Sequence, residues 1–110
     1  MRTDPGELRH LVIYQRPITT KDSLGQARQT WEDVFTAYAA VRPLSAREIY
    51  YAQSTRSETT HRIALRYRDG VSPKGRFVLR GDRILNVYSV TNVDELDAEL
   101  VILAVESEGA

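Results

Sequence analysis

At 110 residues the chain is read as one domain, 1–110, with no room for a second. Fifteen basic and fifteen acidic side chains cancel, which excludes a polybasic nucleic-acid coat, and 42% hydrophobic content excludes a wholly disordered chain. With no cysteine there is no disulfide framework, zinc-thiolate site or cysteine nucleophile.

The first apolar run is Leu8 to Gln15, with Leu11 and Ile13 on one face and Val12 and Tyr14 on the other. Pro17 is expected to end it, because proline cannot donate to a ladder. Ile18 to Gln29 reads as a long polar loop with its turn at Asp22-Ser23-Leu24-Gly25. Thr30 to Arg42 follows as a strand: aromatic and β-branched residues dominate, Trp31 among them, and Pro43 disfavours helix at Arg42. Ser45-Ala46-Arg47-Glu48 is a capping box, in which the serine hydroxyl and the Glu48 carboxylate each satisfy a backbone N–H. It opens a short helix from Ala46 to about Gln53, expected to pack Ala46, Ile49 and Tyr50 on the sheet.

Gln53 to Thr60 reads as a second polar loop. His61 to Arg68 alternates: Ile63, Leu65 and Tyr67 inward, Arg62, Ala64, Arg66 and Arg68 outward. Arg76–Arg80 and Arg83–Val90 form two strands across Gly81-Asp82, compatible with a type II′ turn. Asn92 to Asp97 is an acidic turn, and Glu99 to Glu106, apolar on both faces, reads as a central strand. The predicted fold is mainly β: a small antiparallel β-sandwich or partly open β-barrel of about six strands with one short α-helix.

Charge is uneven along the chain. From Asp94 onward there are six acids and no Lys or Arg, so the preceding residues carry fifteen basic side chains against nine acidic. Such a split suits head-to-tail self-association or a charged partner. A search for chemistry yields no catalytic, cofactor-binding or metal residues. His10 and His61 are the only histidines and lie in no ligand-spaced cluster, and phosphate-loop, dinucleotide and nucleophile-elbow motifs are missing. Asp94-Glu95-Leu96-Asp97 lacks the ligand spacing and turn glycine of a calcium loop. A single-stranded nucleic-acid-binding β-barrel is the rival reading, since Arg62, Arg66 and Arg68 share a strand face, but Tyr67 falls on the opposite face from them. No apolar run spans a membrane and no signal peptide is visible, so a soluble protein made in the cytoplasm is the expectation.

The order of these features resembles the phage head–tail joining family: head-completion, adaptor or stopper proteins of long-tailed phages, prophages and gene transfer agents. The resemblance runs from Gly6-Glu7-Leu8-Arg9 through Asp22-x-x-Gly25 and Thr30-Trp31. It is strongest at Ala39-x-Val41-x-Pro43-Leu44-Ser45-x-x-Glu48, and continues in Thr60-His61-Arg62-Ile63-x-x-Arg66-Tyr67 and Val90-Thr91-Asn92-Val93-Asp94-Glu95. It implies a non-enzymatic virion subunit without cofactor, assembled as a homo-oligomeric ring between the portal or adaptor and the tail terminator or tube. Double-stranded DNA would pass through that ring. The candidate contacts for ring or partner are Asp22, Gly25, Arg28, Gln53, Arg56, Arg62 and Arg66. Trp31, Pro43, Ser45, Glu48, Ile63, Leu65 and Tyr67 are expected to be structural.

Overall fold

The computed structural model describes residues 5–54 and 58–107. Six strands form: β1 (His10–Lys21), β2 (Ala27–Pro43), β3 (His61–Arg66), β4 (Arg76–Leu79), β5 (Arg83–Asn92) and β6 (Glu99–Glu106), with the helix α1 (Ala46–Ser54) between β2 and β3. All pairings are antiparallel, in the order β1-β2-β3-β6-β5-β4. The sheet closes on itself where β4 meets β1 again, over Ile13–Gln15 and Arg76–Val78. The mainly β fold with one short helix is the one expected, and β6 lies between β3 and β5, as its two apolar faces imply.

Period-2 alternation supplies the core. Val12 and Tyr14 of β1 point inward, as do Ile63 and Leu65 of β3, Phe77 of β4, Leu85 of β5 and Ile102 of β6. Tyr14 stacks on Phe35 at 5.3 Å between centroids and tilts against Phe77 at 5.1 Å. Its hydroxyl accepts the Ser72 N–H at 2.9 Å and donates to the Ser72 carbonyl at 3.2 Å. The turn after β3 is thereby latched to the core. Gly75 lies against the same ring, where a Cβ would overlap Tyr14.

Four expectations need correction. Pro17 does not end the first strand: β1 runs on to Lys21, and the expected loop at 18–29 is instead a β-hairpin, with Pro17 opposite Trp31 and Thr20 opposite Arg28. Proline is tolerated because β1 has no partner beyond Gln15 except β2. A second departure is the 81–82 turn: both Gly81 (φ 83) and Asp82 (φ 60) have positive φ, whereas a type II′ turn has it only at the first.

The third correction concerns β3. Ala64 is buried although it occupies an outward position, because its methyl sits between Ala40 on β2 and Val101 on β6. Tyr67 falls just past the end of β3, packs half-buried at the margin of the core, and donates its hydroxyl to Asp69 Oδ1 at 2.5 Å. The fourth is α1, which forms where expected but buries none of its residues. Ile49, Tyr50 and Tyr51 are all exposed. Local capping stands in for packing here. Ser45 N donates to Glu48 Oε1 at 3.0 Å and Glu48 N to Ser45 Oγ at 3.2 Å, the reciprocal box expected from the sequence. Leu44, buried just ahead of the cap, anchors the chain as it leaves Pro43.

Candidate docking surfaces

The barrel has two differently furnished ends. At one, β1 and β2 continue past the barrel as a two-stranded arm. The six residues beyond Gln15, Arg16 to Lys21, at about 3.4 Å each, give roughly 20 Å of ribbon. That matches the excess of the 50 Å long axis over the 29 Å width. Asp22 shapes the tip: its Oδ1 accepts the N–H groups of Leu24 and Gln26, both at 2.9 Å, and Gly25 takes the left-handed conformation with φ 80. Along the shaft Arg16 pairs with Glu32 at 2.7 Å. At the root the Arg76 guanidinium lies 4.1 Å over the Trp31 ring, and Arg68 lies 4.7 Å over Phe35. These arginines cover aromatic faces that a nucleic-acid base would need for stacking.

The acidic turn joining β5 to β6 is at this same end. Asn92 and Asp97 clamp it reciprocally: Asn92 Nδ2 donates to Asp97 Oδ1 at 2.7 Å, and Asp97 N to Asn92 Oδ1 at 3.1 Å. Asp94, Glu95 and Asp97 all have φ near +55° (54, 55 and 54). Leu96 projects into solvent, 66% exposed.

The opposite end carries α1, the segment leading into β1, and the β4–β5 turn. Arg42 holds Glu48 through two hydrogen bonds, at 2.8 and 3.2 Å. This ion pair, together with the Ser45 N–H, lowers the Glu48 carboxyl to about 2. A brace that the sequence did not announce sits nearby. Arg83 Nε bonds Glu106 Oε2 at 2.8 Å, and His61 Nε2 approaches Glu106 Oε1 at 3.7 Å. Burial holds the His61 imidazole below its usual value, against the pull of Glu106. Thr60 Oγ1 lies 2.8 Å from His61 Nδ1, and it also accepts the Glu106 N–H at 2.9 Å. Hydroxyl, imidazole and carboxylate here fasten the chain entering β3 to β6.

The candidate contact residues do not converge on one site. Asp22, Gly25 and Arg28 share the arm, and Arg66 ends β3 on the same side of the barrel. Gln53, in the last turn of α1, and Arg62, opposite Arg42, belong to the other end. Arg56 lies outside the described residues. Of the structural set, Ile63 and Leu65 are fully buried, Pro43 closes β2 opposite His61, and Ser45 and Glu48 cap α1. Among the described residues no group of three or more His, Asp or Glu side chains forms a candidate metal site, and no helix is long and apolar enough to cross a membrane.

The chain is thus a small closed barrel with an arm projecting from one end and an exposed helix at the other. The profile of the phage head completion proteins matches residues 3–107, and the chain belongs to that family. It is 31% identical over 75 residues to head completion protein gp16 of Bacillus phage SPP1, covering 68% of this chain and 69% of gp16. The solution structure of protein SF1141 from Shigella flexneri 2a superposes with a TM-score of 0.79 at 26% identity, covering 98% of this chain and 100% of that one. A chain from the virion of a native gene transfer agent particle shares the fold, with a TM-score of 0.61 at 20% identity, 92% of this chain and 98% of that one.

Proposed function

We propose that this protein is a connector subunit, a stopper or adaptor, that repeats as a ring between the portal complex and the tail. There it retains packaged DNA and presents a surface on which the tail docks. The observation carrying this reading, beyond family membership, is that the barrel projects the arm at one end and the unpacked helix α1 at the other. A part lying between two neighbours needs a contact surface toward each. The arm is a two-stranded ribbon, a form only marginally stable alone in water, so a partner would order it further. Around α1 the side chains of Ile49, Tyr50 and Tyr51 all stand exposed, the apolar and aromatic types favoured at interface cores. A channel that must later release duplex DNA is best lined without strong cations, because each neutralised phosphate releases counterions and tightens the grip. Such a channel should therefore keep Arg62 and Arg66 paired with carboxylates or away from its lumen.

The test is deletion of the gene in the particle-producing element. Particles should fill with DNA, leak it and fail to join tails. Recovery of tailed, DNA-retaining particles would remove the joining role. Salt-dependent binding of the isolated protein to single-stranded DNA, with particle assembly intact, would favour a nucleic-acid-binding module instead.

A further inference from the structure

We infer that the acidic turn of one subunit docks, Leu96 first, into a basic-rimmed cleft between β1 and β4 of the next. This contact rests on the ring reading above and names the surfaces that would make it. The cleft exists because the β1–β4 seam is short: the strands pair over only Ile13–Gln15 and then diverge toward the β4–β5 turn. It encloses about 660 Å³. Leu11, Ile13 and Val78, all on the outward face of the sheet, line it. Leu11 remains 49% exposed. Arg9 and Arg80 stand at its margin and make no ion pair among the described residues. Asp82 and Arg83 lie on the same margin, Arg83 already held by Glu106.

The turn offers the complement in both charge and polarity. Leu96 is its exposed apolar tip, flanked by Asp94 and Glu95, which make no ion pair among the described residues. The Asn92–Asp97 clamp presents that tip without help from a partner. An apolar floor with unpaired guanidinium groups above it takes a leucine flanked by carboxylates, and the charges fix the orientation. Turn and cleft are at opposite ends of the barrel, because β5 begins beside Leu79 and finishes at Asn92. A subunit therefore cannot fill its own cleft. The contact is heterologous; with the barrel axis tilted toward the circumference of the ring, so that turn and cleft meet at one height, it repeats from copy to copy until the rotation closes.

The chain's lack of cysteine makes disulfide trapping a direct test. Leu96→Cys and Leu11→Cys are made in separate chains, checked for folding by circular dichroism, mixed at high concentration and oxidised. Covalent capture accumulates even a minor associated population. The expected result is a mixed dimer in several-fold excess over either variant alone and over Leu96→Cys mixed with Tyr88→Cys, whose thiol would sit on β5 outside the cleft. High salt should reduce the yield. Adding Arg80→Glu to the Leu11→Cys chain should suppress it, and adding Asp94→Arg to the Leu96→Cys chain should restore it. A mixed yield no greater than the Tyr88→Cys control overturns the contact. Sedimentation of the wild type separates the two failures. Multimers without the mixed disulfide leave the ring standing on some other contact, and no multimer in concentrated protein or in particles sinks both.

Discussion

Replacing Tyr14 by phenylalanine removes one oxygen from the core and leaves its ring contacts in place. Tyr14 is 1% exposed, and its hydroxyl makes two hydrogen bonds to the Ser72 backbone, at 2.9 and 3.2 Å. Each such bond is worth about 0.5–1.5 kcal/mol net, and a donor left without a partner in the interior costs about 1–3 kcal/mol. Ser72 is only half-buried, so water replaces part of what is lost. The expected destabilisation is about 1–2 kcal/mol, or roughly 4–10 °C in melting midpoint for a domain of this size. Tyr67→Phe is the matched control. That hydroxyl is also bonded, to Asp69, but at an exposed position where the loss should stay within about 0.5 kcal/mol. Urea titrations of both variants, followed by tryptophan fluorescence, measure the difference. Equal midpoints, or a larger loss for Tyr67→Phe, would refute the assignment of the Ser72 latch to the core.

Gly75→Ala should cost about 1–3 kcal/mol by overpacking, since its Cβ would meet the Tyr14 ring, and thermal unfolding measures it. Acid should melt α1 before the barrel. The lowered Glu48 carboxyl supports the cap fully above the ordinary carboxylate range near 4.3 and loses that support as pH falls toward about 2. Helical circular dichroism should therefore fall across that window in the wild type, whereas Glu48→Gln should start lower and change little. Because α1 buries no residue, Ser45→Ala should lower the helical signal and leave the urea midpoint within about 0.5 kcal/mol. Replacing residues 18–30 by a short turn should leave a folded barrel, read by an unchanged near-ultraviolet spectrum, while abolishing tail joining in particles.

The parts of the fold legible in the sequence are those where one face is dry. Ile63 and Leu65 alternate against arginines because β3 has a core side and a solvent side, and Ser45-x-x-Glu48 announces a helix start by local bonding alone. The arm was not legible for the same reason in reverse. Most residues of Pro17–Lys21 and Ala27–Thr30 lie exposed, so the period-2 signal vanishes and the polar composition reads as loop. The burial of Ala64 depends on neighbours distant in sequence, Ala40 and Val101, which no local pattern reveals. Tyr67 keeps the inward parity of β3 one step past its end and packs against the core, but only half-buried, because no strand partner covers it there. The candidate contacts were legible as residue types, an Asx-turn aspartate and arginines, but the division of the described ones between two ends follows from the strand order. The β1–β4 cleft has no sequence signature, since it depends on where two distant strands stop pairing.

The arm has one more consequence, for what the subunit avoids. Past Gln15 each of its strands has a partner on one side only, so its outer edges offer open backbone to any other extended chain. Copies held at high local concentration in an assembling particle could zip arm to arm without limit, into fibrils instead of a finished virion. Pro17 removes one donor from that edge, and Lys21 and Arg28 would set cation against cation in stacked arms of identical chains. The proline that misreads as a strand terminator is thus placed where it guards a strand that does not end.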